Sequence, residues 1–303
     1  MASLKNIKIK IGSVHKTRKV TRAMEAVSAV KMRKSQDRAL GSRVYASAAL
    51  SILKRISGSV DMKGFSLMNV QEGKMCVVVI TSDKGLAGNL NNAVLRKTDA
   101  LLESRGLTKE DTIFVCIGRR GADYYEARGY DVAERHENVS DDAGEVDTKV
   151  ITDAILEMHA KKDIGSCVVT YTNFLSTFEQ EAVVREIIPI TSKMIEEMVR
   201  GIVPTKGTLS DAKEGVTPST YTVEPDADAV FSEVLPHLVN IAVFHALLES
   251  KASEHSARMV AMKNATDKAG EVARDLTLVF NKARQAAITR EVSEITSGIE
   301  AMK

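Results

Sequence analysis

The residues best suited to chemistry form no recognisable catalytic set. Six histidines stand at positions 15, 136, 159, 237, 245 and 255, and none has the HExxH spacing of a zinc protease. The turn from Gly85 to Gly88 follows an apolar run, but it lacks both the GxxxxGK[ST] and the GxGxxG patterns that bind phosphate. No Ser, His and Asp arrangement stands out. The sequence therefore predicts no active site, no cofactor and no metal.

The cysteines and the N-terminus suggest a reducing compartment and no membrane insertion. Cys76, Cys116 and Cys167 all lie inside apolar runs, and an odd count without paired spacing argues against a disulfide framework. We expect them to be small buried hydrophobic side chains. The first twelve residues, MASLKNIKIKIG, lack the apolar core of a secretory signal. No run of about 18 apolar residues is evident, so we expect nothing to span a membrane.

Charge is distributed unevenly along a chain whose formal net charge is only +2. Residues 1–55 contain 14 Lys and Arg side chains and two acidic ones, Glu25 and Asp37. Residues 56–236 contain 19 basic and 30 acidic side chains. A basic segment beside an acidic body suggests an anionic partner, although a solvated helix face explains it equally well. Aromatic residues make up 4% of the chain and Trp is absent, which favours long helices over an all-β body.

Residues 1–58 are predicted to form one long helix. The first apolar positions have a 3–4–3 spacing that places them on one helical face: Leu4, Ile7, Ile11 and Val14. Arg18 interrupts this phase, and we expect the stripe to resume on a shifted face. The expected later positions are Val20, Met24, Val27, Leu40, Val44, Ala48, Ile52 and Ile56.

Residues 74–190 predict a small Rossmann-like α/β domain. Four short apolar runs indicate strands at 75–82, 112–118, 166–174 and 181–190. Helical stretches are expected between them, at 89–105, 119–128 and 145–161. Strands that alternate with helices favour a largely parallel sheet. Residues 191–225 are rich in Gly, Pro, Ser and Thr and are predicted to be a loop or insertion.

Residues 226–303 predict a second long helix. An apolar stripe with 4–3–4–3 spacing is formed by Val272, Leu276, Val279, Ala283 and Ala286. A helix of about 60 residues would be roughly 90 Å long, which exceeds the diameter of a domain of this size. We therefore expect it to pair with the N-terminal helix in a long antiparallel coiled coil, since neither helix is stable alone.

Three separated stretches carry a family resemblance. They are SVHKTRKVTRAMEAVSAVKMRKSQDRA near the N-terminus, VITSDKGLAGNLN after the first strand, and SARMVAMKNATDKAGEV followed by FNKARQAAITREVSEITSG near the C-terminus. Together they resemble the γ subunit of F-type ATP synthases. Small departures occur at Ala87, Asn89 and Ile299, and the Cys-bearing insertion of chloroplast relatives is missing. The resemblance covers the whole chain.

The resemblance implies a non-catalytic central shaft. In that family the paired helices sit inside a ring of three α and three β subunits, and the α/β domain docks on the membrane-embedded c-ring together with the ε subunit. Proton flow turns the ring and the shaft, and the shaft biases the conformations of the catalytic β subunits. The implied location is the cytoplasmic side of a bacterial membrane, with membrane contact only through partners and no nucleic acid.

The resemblance also implies residues at the boundary between rotor and stator. The basic stretch contains Lys31, Arg33 and Lys34, and Lys84 lies on the turn after the first strand. These four are expected to face acidic loops of the β subunits. Further expected rotor–stator contacts are Met24, Arg284 and Gln285. For the contact with the c-ring or ε, the acidic stretch suggests Tyr221, Glu224 and Asp226.

The Ala-rich C-terminal tip has two compatible interpretations. Its apolar residues suit a coiled-coil core, and they also suit a bearing that turns inside an apolar sleeve.

Two other classes of protein are alternatives to the family resemblance. An α/β nucleotide-binding enzyme predicts a phosphate loop that is missing. A basic coiled-coil protein that binds nucleic acid predicts aromatic stacking groups, and only Tyr45 lies in the basic segment.

Overall fold

The computed structural model describes residues 4–56, 64–191 and 226–302, with side chains undescribed in 39–56 and at Ala227. Helix α1 spans Leu4–Ile56 and helix α5 spans Ala227–Ala301. The elements between them are β1 Lys74–Ile80, α2 Leu90–Arg105, β2 Thr112–Ile117, α3 Arg119–Glu126, β3 Asp131–His136, α4 Glu145–Ala160, β4 Ile164–Phe174 and β5 Gln180–Ile188.

The chain divides into two compact units, and both long helices contribute to both. Met1–Ala29 and Arg258–Lys303 form the first, here the helix-pair unit. Val30–Ala257 form the second, here the α/β unit. These units cut across the element-based domain boundaries expected from the sequence, because each long helix changes its surroundings partway along its length.

The α/β unit is built on one five-stranded sheet with the order β3-β2-β1-β4-β5. Strands β1 to β4 are parallel, and β5 runs antiparallel to β4. The two central strands are buried throughout apart from Lys74, which is why both read as continuous apolar runs. One buried cluster joins the sheet to α4 and α5, and another joins it to α2 and α3. The predicted fold class is confirmed.

Strand β3 was missed by the sequence reasoning. Its sequence, DVAERH, is mostly polar and its residues alternate between exposed and half-buried. It is an edge strand that pairs only with β2 in the sheet order, so just one of its edges and part of one face are covered. A search for apolar runs does not detect such a strand.

The connection between β2 and α3 requires a glycine at residue 118. Gly118 has φ of 98°, and a Cβ at this position would lie 2.0 Å from the carbonyl oxygen of Thr81. Thr81 also accepts a hydrogen bond at its Oγ1 from the amide of Gly121, at 2.8 Å. Residue 118 must therefore be glycine for α3 to start against the end of β1.

Helix α5 begins in the core of the α/β unit. The Oδ1 atom of Asp226 accepts a hydrogen bond of 2.7 Å from the amide of Ala229, so Asp226 is the N-cap. The helix continues through Pro236. Its first half supplies a large share of the cluster shared with the sheet and α4: Phe231, Leu235, Leu238, Val239, Ile241, Ala242, Val243, Ala246 and Leu247.

In the helix-pair unit, the expected shift of the α1 stripe is wrong. The inward face keeps a strict seven-residue spacing, with Ile7, Thr21 and Ser28 buried. Val20 and Val27, which were expected inside, are 58% and 56% exposed. Two of these inward positions, Thr21 and Ser28, carry small hydroxyl side chains, and the hydroxyl of Thr266 donates a 2.7 Å hydrogen bond to Thr21 Oγ1. Counting only apolar residues therefore assigned the wrong face.

The stripe on α5 is displaced in the same way. Val272, Val279 and Ala286 were expected inside but are exposed, whereas Ala273 and Met262 are buried. Leu276 and Ala283 are half-buried, as their predicted place on the stripe requires. The buried Gly270 lies opposite Arg18, and a Cβ there would stand 3.4 Å from Arg18 Nε. Arg18 therefore fits on the apolar stripe of α1, because the residue opposite it on α5 is a glycine with no side chain.

The cysteines are buried, as expected. Cys76, Cys116 and Cys167 are fully buried and free. Burial raises the pKa of the Cys116 thiol to about 12 and that of Cys167 well above its ordinary value.

Contrary to the expectation from sequence, α5 contains an 18-residue window apolar enough to cross a membrane by length and composition. Of that window, 61% is buried inside the protein, as in a helix that forms part of a core.

Candidate interaction surfaces

The turn after β1 presents Lys84 to solvent on a well-ordered loop. Ser82 donates through its amide to Asn91 Oδ1 at 2.9 Å and through its hydroxyl to the Lys84 carbonyl at 2.7 Å. Asp83 accepts hydrogen bonds from the amides of Arg119 and Asn138, at 3.0 and 3.1 Å. The turn is therefore fixed to the start of α3 and to the loop after β3, and Lys84 is exposed. Its geometry suits a docking element.

The helix-pair unit carries the other predicted contact residues. Met24 on α1 is half-buried, whereas Arg284 and Gln285 on α5 are exposed. A half-buried methionine is compatible with both a packing role and a contact role. The exposed residues of this unit also include large apolar side chains, such as Ile9 at 60% exposure.

The C-terminal tip carries an exposed apolar surface. The contacts of Thr21 with Thr266 and of Arg18 with Gly270 set an antiparallel register between α1 and α5. Extending that register places Leu4 opposite residues near 283, so α5 from Ile288 onward lies beyond the described start of α1. One face of this tip has a 4–3–4–3 apolar spacing, and all of its members are exposed: Ile288, Val292, Ile295, Ile299 and Met302. We call this face the tip stripe.

The basic stretch on α1 belongs to the α/β unit from Val30 onward. Lys31 and Lys34 were expected to face a partner, but both form ion pairs within the chain. Lys31 Nζ lies 2.7 Å from Asp141 Oδ2, and Lys34 Nζ lies 2.6 Å from Asp142 Oδ1. Arg33 is exposed. Lys31 and Lys34 are exposed as well, so the difference between them and Arg33 is that the carboxylates of Asp141 and Asp142 engage the two lysines.

Asp141 is the centre of this arrangement, and the sequence reasoning missed it. His255 hydrogen-bonds to its Oδ1 at 3.0 Å, and Lys251 Nζ lies 3.7 Å from the same atom. The hydrogen bond with His255, and then that with Lys31, hold the pKa of Asp141 well below its ordinary value. The available signal was the Asp-Asp pair in a polar loop, opposite a basic helix, but neither feature is specific alone.

Polar side chains also fasten the first half of α5 within the α/β unit. Asn240 accepts hydrogen bonds from the hydroxyls of Thr148 and Thr152, at 3.0 and 3.1 Å. The hydroxyl of Ser250 accepts from the amide of Thr172 at 3.3 Å, and that of Ser253 donates to the carbonyl of Thr172 at 3.2 Å. These bonds fix the position of α5 on β4 and α4.

The residues suggested for a contact with the c-ring or ε are only partly visible. Tyr221 and Glu224 lie outside the described residues. Asp226 is exposed and caps α5. Within the described ranges, no cluster of three or more His, Cys, Asp or Glu side chains is arranged to hold a metal ion.

The chain combines an antiparallel helix-pair unit with a five-stranded α/β unit, and comparison with known proteins identifies the class that has this fold. The family model described as ATP synthase matches residues 3–302. The ATP synthase gamma chain of Polaromonas naphthalenivorans is 38% identical over 305 positions, covering all of both chains. That of Heliobacterium modesticaldum is 34% identical over 304 positions, again covering all of both. The chain belongs to the ATP synthase gamma-chain family.

Solved structures show the same fold at low sequence identity. The rotor of the Euglena gracilis mitochondrial ATP synthase superposes with a TM-score of 0.62 at 16% identity, covering 94% of this chain and 98% of that one. The central stalk of the Tetrahymena thermophila enzyme gives 0.57 at 21% identity, covering 81% of this chain and 99% of that one. The predicted family and its central-rotor function are confirmed, as is the non-catalytic character of the subunit. Neither alternative class is supported.

Proposed function

We propose that this chain turns with a c-ring and couples proton flow to ATP synthesis on three β subunits. Its partners would be three α and three β subunits, an ε subunit and the c-ring. The relatives support this set, because solved structures with the same fold are a rotor, a central stalk with c-ring, and a rotor in an OSCP, F1 and c-ring assembly. The chain works in a membrane-associated complex, and we place it peripherally on the cytoplasmic face of a bacterial membrane.

The tip stripe is the observation that carries this proposal. Its five large apolar side chains are exposed, four on one face of α5 and the fifth, Met302, directly after the end of the helix. Burying one such side chain against a partner stabilises by about 1.5–3 kcal/mol, so leaving the whole stripe in water would be costly. An apolar sleeve formed by the α and β subunits would cover it. Contacts without directional hydrogen bonds would also let the shaft turn without a preferred angle.

For the rotor–stator contacts we propose Arg33, Lys84, Met24, Arg284 and Gln285. Exposed ion pairs are worth about 0–1 kcal/mol each, so no single one can carry the torque. We propose that steric pushing of the helix pair on the β subunits does most of the work, and that the charges adjust the angles at which rotation pauses. Arg284, with five donors, suits a grip that forms in one rotary state and breaks in the next.

For the membrane side, we propose that the α/β unit docks on the c-ring and ε. The stretch around Tyr221, Glu224 and Asp226 remains our candidate contact. Asp226 also caps α5, so its replacement would change the helix start as well as any contact. A loss of binding in an Asp226 variant would therefore need a second variant, such as Asp226→Ser, which keeps the cap but not the charge.

Native mass spectrometry of the chain co-expressed with the α and β subunits of its own organism tests the proposal. A complex with one copy of this chain and three of each partner, which hydrolyses ATP, is the expected result. Removal of residues 288–303 should weaken that complex, whereas Asp153→Asn, an exposed change on α4, should not. If α and β assembled fully without this chain, the shaft proposal would be wrong.

A further inference from the structure

Residues 31, 34 and 38 of α1 form a basic face that the loop after β3 engages from one side. Positions separated by three and four residues lie within about 60° of one another around a helix. Lys31 pairs with Asp141, while Lys34 and Arg38 both reach Asp142, at 2.6 and 3.3 Å. Arg38 also donates to the carbonyl of Asp141 at 3.2 Å. All three basic side chains are thus directed to two consecutive carboxylates.

The same loop holds α5. Lys251 donates a 2.8 Å hydrogen bond to the carbonyl of Val139, and His255, four residues further along, contacts Asp141 at 3.0 Å. Lys251 and His255 are largely buried, with side chains 13% and 5% exposed. Asp141 therefore stands between two helices and bonds to both. It is about one-quarter exposed, so solvent screens these pairs less than ordinary surface ion pairs.

The loop is itself held in place, so that its carboxylates are pre-positioned. Ser140 Oγ accepts from the amide of Asp142 at 3.0 Å, and the Ser140 carbonyl accepts from the amide of Ala143 at 3.1 Å. The Asn138 amide is tied to Asp83 in the turn after β1, at 3.1 Å. Displacing the loop would break bonds to the sheet as well as to the helices. A fixed acidic loop can resist the turning of a helix, whereas a free one would follow it.

We infer that Asp141 and Asp142 form a clasp that locks α1 and α5 to the α/β unit, so that a twisting load on this unit reaches both helices. The inference rests on the proposed shaft function and assigns Lys31 and Lys34 to the clasp rather than to the stator. Turning α1 by one residue, about 100°, would carry its basic face off the loop. These are positioning residues, since they act through the helices and contact no nucleotide.

A double-mutant cycle in the complete membrane-bound complex tests the clasp. The variants are Lys31→Gln, Asp141→Asn and the two together, and the readout is the ratio of ATP-driven proton pumping to ATP hydrolysis. We expect each single change to lower the ratio about threefold, and the double variant to be no worse than Asp141→Asn alone, because residues that act on each other are not additive. Asp153→Asn is the matched control, with an exposed carboxylate on α4, and should leave the ratio unchanged.

If the fold-changes of the two single variants multiply in the double variant, the clasp is wrong, and Lys31 is again a candidate for contact with the stator. An unchanged ratio in Asp141→Asn would also overturn it. If a variant complex fails to assemble, amine labelling of the full-length chain decides. Lys31 should react about threefold more slowly than the exposed Lys19, and Asp141→Asn should abolish the difference, because an ion-paired amine is less available. Equal rates in the unaltered chain would rule the clasp out.

Failure of the shaft proposal looks different from failure of the clasp. If the unaltered chain never joined α and β subunits, no pumping ratio could be measured for any variant, and the shaft would be wrong. The labelling experiment would still give a result for the clasp contacts in that case. If the unaltered complex pumps protons but the double-mutant cycle does not give the expected result, the shaft proposal holds and the clasp is wrong.

Discussion

The two halves of α5 share one continuous helix but differ in what covers them. Residues 227–257 belong to the α/β unit, where side chains such as Phe231 and Leu238 are at most 1% exposed. Residues 258–301 belong to the helix-pair unit, where Leu278 is 69% exposed and the tip stripe is open to solvent. Apolar residues in the first half therefore serve folding. We propose that those on the outer face of the second half serve association with partners.

The largest expected effect comes from the core of the first half. Leu238→Ala removes a fully buried side chain from the cluster between the sheet and α4, and should lower the free energy of unfolding by about 3–4 kcal/mol. Leu278→Ala makes the same chemical change in the exposed half and should cost less than about 0.5 kcal/mol. Urea denaturation of the full-length chain, followed by circular dichroism, measures both. Equal losses would erase the distinction between the halves.

A backbone change in the α/β unit should rank second. Gly118→Ala would place a methyl group against the carbonyl of Thr81 at a φ of 98°, and should cost about 3 kcal/mol. Gly106→Ala is the matched control. It also has a positive φ, of 63°, but meets nothing within 4 Å, so only the conformational cost of about 1 kcal/mol remains. The same denaturation experiment compares them, and a Gly118→Ala variant as stable as Gly106→Ala would contradict the close approach.

The buried polar groups of the two halves allow a finer test. Asn240→Ala removes the acceptor that the hydroxyls of Thr148 and Thr152 share, but each hydroxyl keeps a backbone carbonyl acceptor at 3.0 Å, so the change should cost about 1–2 kcal/mol. Thr266→Val in the helix-pair unit removes one hydroxyl contact with Thr21 but keeps the shape, and should cost about 1 kcal/mol. Unfolding midpoints in urea give both values. A larger loss in Thr266→Val would mean that the helix pair depends on its polar seam more than the α/β unit does.

The fourth prediction concerns how the stability that Asp141 contributes changes with pH. The pKa of Asp141 is lowered by His255 and Lys31, with Lys251 nearby, so its carboxylate stabilises the folded state above its ordinary pKa of about 4. This contribution is fully present at neutral pH and is lost as the pH falls below about 4. Asp141→Asn should therefore be less stable than the unaltered chain at pH 7, and the difference should shrink towards pH 3. Thermal unfolding at the two pH values measures it.

The matched control for the acid experiment is Asp142→Asn. Its carboxylate is half exposed and its pKa is lowered mainly by Lys34, so its contribution should follow the same pH dependence with a smaller amplitude. If the stability difference between Asp141→Asn and the unaltered chain grew as the pH fell, the pKa of Asp141 could not be lowered in the folded state. The bonds that explain the lowered pKa would then be wrong.

The two regions also differ in how far the sequence predicted them. Strands β1 and β2 are buried on both faces and were found as apolar runs, whereas the polar edge strand β3 was missed. In the helix pair, Val20 and Val27 were placed inside because apolar residues usually are. The structure places Thr21 and Ser28 there instead. The exposed valines of the helix pair thus depart from the rule that links hydrophobicity to the interior of a chain.

The candidate sites follow the same pattern. The family motifs predicted a contact with partners at the basic stretch, but they could not reveal that Lys31 and Lys34 pair with Asp141 and Asp142, over 100 residues away. Such pairings depend on where the loop after β3 lies on α1. That position is set by the packing of the whole α/β unit and by no local pattern. Arg33, which lies between Lys31 and Lys34 in the sequence, is exposed, and its contact with a partner stays a prediction.

The smallest expected effect on stability is the most informative about the tip. Ile295→Gln replaces a side chain that is 63% exposed, on a part of α5 beyond the described start of α1, and should change the free energy of unfolding of the full-length chain by less than about 0.5 kcal/mol. In the complex with α and β subunits, the same glutamine would enter an apolar sleeve and should cost about 1–3 kcal/mol of assembly, because its amide would lose water without gaining partners. Urea denaturation and native mass spectrometry separate the two values. A chain destabilised by more than about 1 kcal/mol would mean that the tip packs within its own chain, since only an intramolecular contact can be lost without the partners present.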